Sequence, residues 1–577
     1  MNLGLVAIAA VVLVVAATVL APRVGVAAPL LLVVLGFAAS MTPFVGQVSI
    51  PPEWILAGIL PPLLYSAAVS APVMEVRRDF GIISTFSIVL VIVSATAVGL
   101  LATLLIPGLP LGVGIALGAV ISPTDAVATS IVRKAHVSSR LVTVLDGESM
   151  LNDASALVLL RSAIAAVGAG ISIWQVAGAF VWAVLAAVAI GFAVGKVNLL
   201  VRSKITDTNA GVALSLVIPF VAYIPAEHLG ASGLVAAVVA GVVTGYGAPR
   251  RIGARDRITE RTVWRTIELL LESSVFLLIG LELPALTKDL TGSGGNIGSA
   301  LRIGALAVTV VLAIRAGFVA WSVWILARRN RRAPAVREKL TEMQGQIDQG
   351  QVPELRAPGS KAGFLARRHS LGEAPSTSQL NSVQRSLAMR IADVDYLAAE
   401  QFDWRDGFML VWAGMRGAVT VAAAQTLPED TPQRSLLVLV ATFVAVGTLL
   451  VQGSTLSWLA GRLGLTGRDV AWDESQWAAL QNELNDAALA RLEGYPEAVA
   501  DHLRERLTRR THPDEDEFGS AVQRAELDSF RRLRIDLIAT ERDALLVVRQ
   551  SGTYPSAMLD RALTQLDAEQ IGIELRS

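Results

Sequence analysis

Two acidic residues lie inside apolar stretches of this sequence, and the first of them, Asp125, follows a proline in Ser122-Pro123-Thr124-Asp125. Proline removes a backbone donor and clashes with the preceding turn, so a helix is predicted to break here. The freed carbonyls must line a cavity, because lipid does not tolerate them. Such carbonyls and one carboxylate would form an oxygen site suited to a small cation. The plainer alternative is a proline kink with a hydrogen-bonded Asp125.

The second acid, Asp153, ends the segment Gly147-Glu148-Ser149-Met150-Leu151-Asn152-Asp153. On a helix, Ser149 and Asp153 are about 40° apart, and Asn152 lies about 60° to the other side of Ser149. One helix face therefore offers a hydroxyl, an amide and a carboxylate. The alternative is a buried polar network that only holds helices together.

Two arginines also fall at membrane depth, Arg315 and Arg416. A buried guanidinium needs a carboxylate, and Glu148, which faces about 140° away from Asp153, is the predicted partner of Arg315 in a structural ion pair. Glycines on both sides of Arg416 predict a second helix interruption, where its charge would offset the negative ends of half-helices. The alternative for Arg416 is a side chain that reaches the membrane surface.

The elements that position these residues are membrane-spanning helices. The 577 residues are 53% hydrophobic and 17% charged, against about 25% charged in soluble proteins. The chain has no cysteine and a net charge of zero, which excludes disulfides and thiolate metal sites and argues against a nucleic-acid partner. Thirteen helices are predicted, at 2–21, 26–44, 54–72, 81–105, 111–132, 146–168, 173–195, 209–226, 229–247, 263–285, 300–327, 407–427 and 434–461.

The basic residues of the short loops lie almost all on one side of these helices, Arg140 and Arg202 among them, while the opposing loops hold Lys288 and Arg434. The basic side is therefore predicted to be cytoplasmic, with the N-terminus outside and the C-terminus inside. Residues 328–405 have a Pro/Gly/Ser-rich middle and are predicted to form a partly disordered cytoplasmic linker. The pattern of residues 462–577 predicts a cytoplasmic helical tail.

The two predicted breaks fall in spans five and twelve. Two six-helix halves, spans one to six and eight to thirteen, would place them at equivalent positions, and paired interruptions of this kind mark a binding site at the middle of the membrane. By analogy with other transporters, the halves would be inverted repeats. The predicted fold is an all-α polytopic membrane protein with about thirteen helices, two of them broken and crossing.

Five motifs together resemble the cation:proton antiporter-1 family, which includes bacterial sodium/proton antiporters and animal sodium/proton exchangers. The resemblance covers about residues 1–462 in order, and its most specific part is the Glu-Ser-x-x-Asn-Asp segment. The motifs are Pro61-Pro62-Leu63-Leu64-Tyr65, Ser122 to Ala128, Gly147 to Asp153, Glu272-Ser273-Ser274-Val275-Phe276 and Gly414-Met415-Arg416-Gly417-Ala418. Many relatives have proline where this chain has Ala126, and bacterial members often carry alanine.

The resemblance implies a homodimer in a membrane, with residues 1–75 and 173–285 as dimerisation scaffold and residues 81–168, 300–327 and 407–461 as the ion-transporting core. It also implies a role for each polar residue of the motifs. The cation would bind Asp125, Asp153, Ser149 and the backbone of Thr124, with Asn152 in support and Glu148 paired with Arg315.

The predicted function is electroneutral exchange of Na⁺ for H⁺ across the cell membrane, with both ions as substrates and no cofactor. Electroneutrality rests on Asn152, which cannot titrate beside Asp153. The sequence leaves K⁺ or Li⁺ open as the cation. The alternatives from other classes are a channel and an intramembrane aspartyl protease, although the Gly-x-Gly-Asp motif of such proteases is missing.

Overall fold

The computed structural model describes residues 3–24, 28–42, 54–169, 173–292, 295–331, 333–348, 387, 389–391, 393–394, 396–397, 402–467, 470–492 and 521–575. Across these residues the chain is helical and forms no strand. It divides into two compact units, residues 1–324 with 402–468, and residues 325–401 with 469–577.

Apolar helices fill all thirteen predicted spans. In the first half these are α1 (Leu3–Val24), α2 (Ala28–Ser40), α3 (Trp54–Ser70), the short α4 (Val73–Arg78), α5 (Phe80–Leu105), α6 (Leu111–Ile121), α7 (Ala126–Lys134) and α8 (Ser139–Ala169). The chain continues with α9 (Ile173–Arg202), α10 (Thr208–His228), α11 (Gly233–Arg251), α12 (Ala254–Gly292) and α13 (Ile297–Asn330). After the insertion, which contains α14 (Ala333–Asp348), come α15 (Trp404–Trp412), α16 (Ala418–Gln425) and α17 (Arg434–Arg462).

Eight helices in the described part of the chain are long and apolar enough to cross a membrane. Four shorter apolar helices accompany them, at 8–21, 28–40, 54–70 and 111–121. The predicted fold class, an all-α polytopic membrane protein, is confirmed, whereas the number of thirteen crossings stays a prediction.

Both predicted interruptions are present. Span five is two helices, α6 and α7, separated by residues 122–125, and span twelve is two helices, α15 and α16, separated by residues 413–417. Pro123 explains the first break, because it cannot continue the hydrogen-bond ladder of α6. Several other helices extend beyond their predicted bounds; α8 begins at Ser139 rather than at 146, since the polar residues of its first turns are held by partners within the protein.

Small residues allow the helices of the first unit to pack closely. Gly36 of α2 lies against Gly280 of α12, and an added Cβ on either glycine would overlap the backbone of the other helix. Gly118 of α6 lies in the same way against Ala95 of α5. Such contacts are typical of helix pairs in membranes, where close approach of the backbones replaces the hydrophobic effect.

The second unit contains a helical bundle made by α18 (Val470–Leu492), α19 (Ala521–Ser551) and α20 (Ser556–Glu574). Leu480, Ile538, Leu559 and Leu563 are among the residues of its apolar core. This agrees with the helical pattern of the tail sequence. The Pro/Gly/Ser-rich middle of residues 328–405 lies outside the described residues, and α14 precedes it.

Candidate functional site

The two helix interruptions meet each other inside the first unit. The backbone N–H of Asp125 donates to the carbonyl of Met415 at 2.8 Å, and Nε of Arg416 donates to the carbonyl of Ile121 at 2.8 Å. Backbone groups that each break leaves without a helical partner are therefore satisfied partly by the other break. This explains how irregular backbone is tolerated here.

Arg416 is buried at this crossing, so the alternative of a side chain that reaches the membrane surface is wrong. Its guanidinium donates to carbonyls at the end of α6, those of Ile121 and Ser122, and to the carbonyl of Gly414 just beyond α15. Its backbone N–H donates to Oγ1 of Thr448 at 2.9 Å. The positive charge thus lies where two half-helices end, and it offsets their negative ends.

Asp125 occupies the opposite kind of helix end. It is the N-cap of α7, and its carboxylate accepts from the N–H of Val127 at 3.4 Å. An added Cβ on Gly417 would overlap this carboxylate, so glycine is required for the second break to approach the first so closely. The positive end of α7 favours a negative charge at Asp125.

Asp153 lies on α8 with only 7% of its surface exposed. Its Oδ1 has no hydrogen-bond partner among the described residues, and its carboxylate is close enough to that of Asp125 for the two negative charges to repel each other. The hydroxyl of Ser149 donates to the carbonyl of Asp146 in the same helix at 3.2 Å, which leaves its oxygen able to act as an acceptor or ligand.

A second set of contacts runs from Asn152 to Arg315. Nδ2 of Asn152 donates to Oγ1 of Thr124 at 2.7 Å, and that hydroxyl donates to Oε1 of Glu148 at 3.5 Å. Both oxygens of Glu148 accept from the guanidinium of Arg315, one of them at 2.8 Å, and Nε of Arg315 donates to the carbonyl of Leu410 at 2.9 Å. The hydroxyl of Thr124 is therefore engaged in this network both as an acceptor and as a donor.

The structure thus separates the predicted residues into two groups. Asp125 and Asp153 lie close enough for their charges to interact, while Glu148 and Arg315 form a closed ion pair, each about 1% exposed. Thr124 and Asn152 connect the groups. Among the described residues, no group of three or more His, Cys, Asp or Glu side chains could hold a metal ion.

Glu268 and Glu272 of α12 also lie near the site. Glu272 is close enough to Asp125 for their charges to interact, and Glu268 accepts from the hydroxyl of Ser66 at 3.4 Å. Both glutamate side chains are half-buried.

Sequence reasoning missed three other ion pairs. Arg140 and Arg202, counted as loop residues, are buried against Asp79 at 2.6 Å and Glu260 at 2.8 Å. Each acid lies in a neighbouring polar segment, but spacing gives no signal that links two residues about 60 positions apart. The third pair joins Arg161 of α8 to Glu227 of α10 at 2.7 Å.

The sequence of this chain is similar to those of several known proteins. The profile of the family described as "Sodium/hydrogen exchanger, transmembrane" matches residues 9–353 and 385–462. An uncharacterized Na⁺/H⁺ exchanger of Mycobacterium tuberculosis is 30% identical over 98% of this chain and 96% of its own length. A protein of Bacillus pumilus, named a sodium, potassium, lithium and rubidium/H⁺ antiporter, is 30% identical over 44% of this chain and 40% of its own length.

Among solved structures, the sodium proton antiporter MjNhaP1 from Methanocaldococcus jannaschii is similar to this chain, with a TM-score of 0.51 and 16% sequence identity. The match covers 80% of this chain and 99% of that chain. At this level of identity the likeness concerns the fold alone.

Proposed function

Since the chain belongs to the transmembrane sodium/hydrogen exchanger family, we propose that it exchanges Na⁺ for H⁺ by alternating access at Asp153 and Asp125. Membership makes it a multi-pass membrane transporter for cations and protons rather than an enzyme, and the ions are substrates rather than cofactors.

The observation that carries the proposal is the state of Asp153. Its Oδ1 is buried without a hydrogen-bond partner among the described residues, beside a second carboxylate and next to a helix break. A buried carboxylate oxygen without a partner is expensive, and two such charges side by side are more so. A cation or a proton bound there would relieve both costs. Ser149 and the carbonyl of Thr124 are proposed as the neutral ligands, with Asn152 in support.

Exchange follows from competition at one site. Desolvation disfavours the charged form of a carboxylate, so an occupied and neutralised site crosses the membrane interior more easily than an empty charged one. A cation and a proton can each neutralise the site but not together. If the site opens to one side at a time, inward movement of one ion requires outward movement of the other.

We further propose that one cation exchanges for one proton. The neighbour of Asp153 in the chain is Asn152, whose amide is bound to Thr124 and carries no proton to exchange. Asp125, at the positive end of α7, is proposed to keep one charge state through the cycle. The loaded site then carries the same charge in both directions.

The moving and stationary parts are proposed as the resemblance implies. Residues 81–168, 300–327 and 407–461 form the moving core, and residues 1–75 and 173–285 form the scaffold of a homodimer. The protein is proposed to lie in the cell membrane with its N-terminus outside and its tail in the cytoplasm. Na⁺ is the proposed substrate, and the printed name of the Bacillus pumilus relative makes K⁺ and Li⁺ the alternatives to test.

The test is purified protein in proteoliposomes that contain a pH-sensitive dye and an imposed pH gradient. Addition of Na⁺ outside should dissipate the gradient in protein-containing vesicles and not in empty ones, and parallel additions of K⁺ and Li⁺ rank the cations. A response to K⁺ but not to Na⁺ would identify K⁺ as the transported cation in place of Na⁺. Cation flux without proton movement would point to a channel and reject exchange.

A further inference from the structure

A small cavity lies beside the helix crossing, and neither Asp125 nor Asp153 lines it. Three polar atoms of its lining residues have no hydrogen-bond partner among the described residues. Its volume is about 10 Å³. Ser94, Ser122 and Asn152 line it, and Ser94 Oγ, Ser122 Oγ and Asn152 Oδ1 have no hydrogen-bond partner among the described residues. All three residues are at least nine-tenths buried. Buried hydroxyls and amides are seldom left in this state.

The volume and the charges of the lining restrict what this cavity can bind. A cavity of about 10 Å³ is close to the minimum that holds one water molecule. Arg315 and Arg416 line the same cavity, whereas its only acid, Glu148, already accepts from Arg315 on both oxygens. Two guanidinium groups repel a cation, and the space is too small for an organic ligand.

We propose that one ordered water molecule occupies this cavity and bridges Ser94, Ser122 and Asn152. Each of the three atoms then gains one partner, because the water can donate to Oδ1 of Asn152 and to the oxygen of one serine while the other serine hydroxyl donates to the water. Three hydrogen bonds are typical of a buried water. This site differs from the one proposed for the transported cation, because neither Asp125 nor Asp153 lines the cavity.

The water also positions the amide of Asn152. With Oδ1 held by the water, Nδ2 must point to Thr124, which is the orientation in the structure. Asn152 therefore keeps Thr124, whose backbone is a proposed cation ligand, in its place at the break. This positioning role rests on the proposed function, whereas the presence of the water does not.

The experiment is X-ray hydroxyl-radical labelling of the full-length protein in H₂¹⁸O, with labelled residues identified by mass spectrometry. Radicals formed from a bound water modify the side chains around it, so Phe86 and Leu90, which line the cavity and are almost fully buried, should be labelled. Absence of label on both residues in the wild-type protein would overturn the proposal.

A matched pair of variants on α5 locates the label. Val91→Ile adds a methylene group to the cavity, while Val98→Ile makes the same change at a buried position that does not line it. Labelling of Phe86 and Leu90 should fall about fivefold or more in Val91→Ile and not in Val98→Ile, since the water loses its space. Ser94→Val, which removes a hydroxyl and fills the same space, should reproduce the loss if Val91→Ile does not fold. The proposal would be overturned if labelling were equal in Val98→Ile and in whichever of Val91→Ile and Ser94→Val folds.

Transport measurements distinguish the role of the bound water from the proposed role of Asp153. Val91→Ile should raise the half-saturating Na⁺ concentration about fivefold relative to Val98→Ile, which is the effect of one lost hydrogen bond. Asp153→Asn should lose exchange but keep the label on Phe86 and Leu90. Lost label with unchanged Na⁺ dependence would overturn the positioning role of the water. Exchange that survives Asp153→Asn would reject the site assignment in the proposed function and leave the water in place.

Discussion

Glu148 and Asp153 are buried carboxylates five residues apart on the same helix, α8, yet their surroundings differ. Glu148 accepts from Arg315 on both oxygens and from the hydroxyl of Thr124. Asp153 has an oxygen with no partner among the described residues and a second carboxylate nearby. About 140° of helical rotation separates the two side chains, so each meets a different set of neighbours.

The difference shows that one helix can hold a carboxylate with a closed set of partners and a carboxylate with an open oxygen. A buried charge with all its hydrogen bonds made is costly to disturb, which suits a group that holds helices in place. A buried carboxylate with an open oxygen gains from any cation or proton that binds, which suits a transport site. Substitutions at these residues and at their neighbours test this contrast.

The largest effect is expected at Asp153. Asp153→Asn should reduce cation-driven proton movement to the level of empty vesicles, because the amide offers neither a charge for the cation nor an exchangeable proton. Asp125→Asn should act in the same direction. Asp289→Asn, which changes an exposed carboxylate on α12, is the control and should transport as the wild type does. Near-normal exchange in Asp153→Asn would show that the contrast with Glu148 has no functional meaning.

The second effect concerns the closed ion pair. Glu148→Ala or Arg315→Ala should destabilise the folded protein by about 3–5 kcal/mol, since each strands a buried charge. Thermal melting in detergent measures this. Arg133→Ala breaks an ion pair with Asp146 in which the arginine side chain is 62% exposed, so it should cost about 1 kcal/mol or less. Equal melting temperatures for Glu148→Ala and Arg133→Ala would contradict the structural role.

A smaller effect is expected at Gly417, which allows the second break to contact Asp125. Gly417→Ala places a Cβ against the Asp125 carboxylate and should weaken Na⁺ binding by about 1–3 kcal/mol through the shift that overpacking forces. Gly447→Ala provides the control, because an added Cβ there meets nothing within 4 Å. The measurement is the half-saturating Na⁺ concentration in proteoliposomes. If the two variants behave alike, the close approach of the breaks is not needed for binding.

A third buried carboxylate, Glu541 in the tail, extends the comparison outside the membrane. Burial raises the pKa of Glu541 above its ordinary value, although Arg534, which Glu541 shares with Glu569, acts in the opposite direction. A raised pKa in the folded state means that the folded tail binds this proton more tightly than the unfolded tail does. The stability from this group is therefore greatest below the unfolded pKa and is lost as the pH rises through the folded pKa.

Hydrogen exchange of α19 in the full-length protein, corrected for the intrinsic pH dependence, measures this effect. Protection should increase from neutral pH to about pH 5, and the change should be smaller in Glu541→Gln, which cannot ionise. The modest size follows from Arg534, which compensates part of the burial. If protection decreased on acidification in the wild type but not in Glu541→Gln, the pKa of Glu541 would be lowered rather than raised in the folded tail.

Membrane potential is expected to have no effect on the equilibrium of the exchange. If Asp153 carries the only charge that is exchanged, a membrane potential of 100 mV should leave the equilibrium Na⁺ gradient unchanged, whereas each net charge moved would shift it by about 2.3 kcal/mol. The test clamps vesicles at zero potential or at a potential set by a potassium gradient and ionophore. Asn152→Asp is the informative variant, since an added acid beside Asp153 should introduce voltage dependence. Voltage dependence in the wild type would mean that Asp125 also exchanges a proton.

Several features of this protein follow from its sequence alone because their causes are local. Pro123 breaks the fifth span wherever the chain folds, and the glycines around Arg416 permit the second break. The order Glu148, Asn152, Asp153 fixes the angles between these side chains once a helix forms, because helical geometry depends only on spacing. The apolar runs likewise determine that the chain is a polytopic membrane protein.

Other features depend on contacts between distant parts of the chain, and only the tertiary structure decided them. Spacing along the helix cannot show that Oδ1 of Asp153 is left open or that Arg416 binds carbonyls of α6 almost 300 positions earlier. The same holds for Arg140, whose place in a basic loop segment gave no sign that Asp79 buries it. The physical reason is that periodicity sets the direction of a side chain, whereas the energy of a buried charge depends on the partner that packing brings to it.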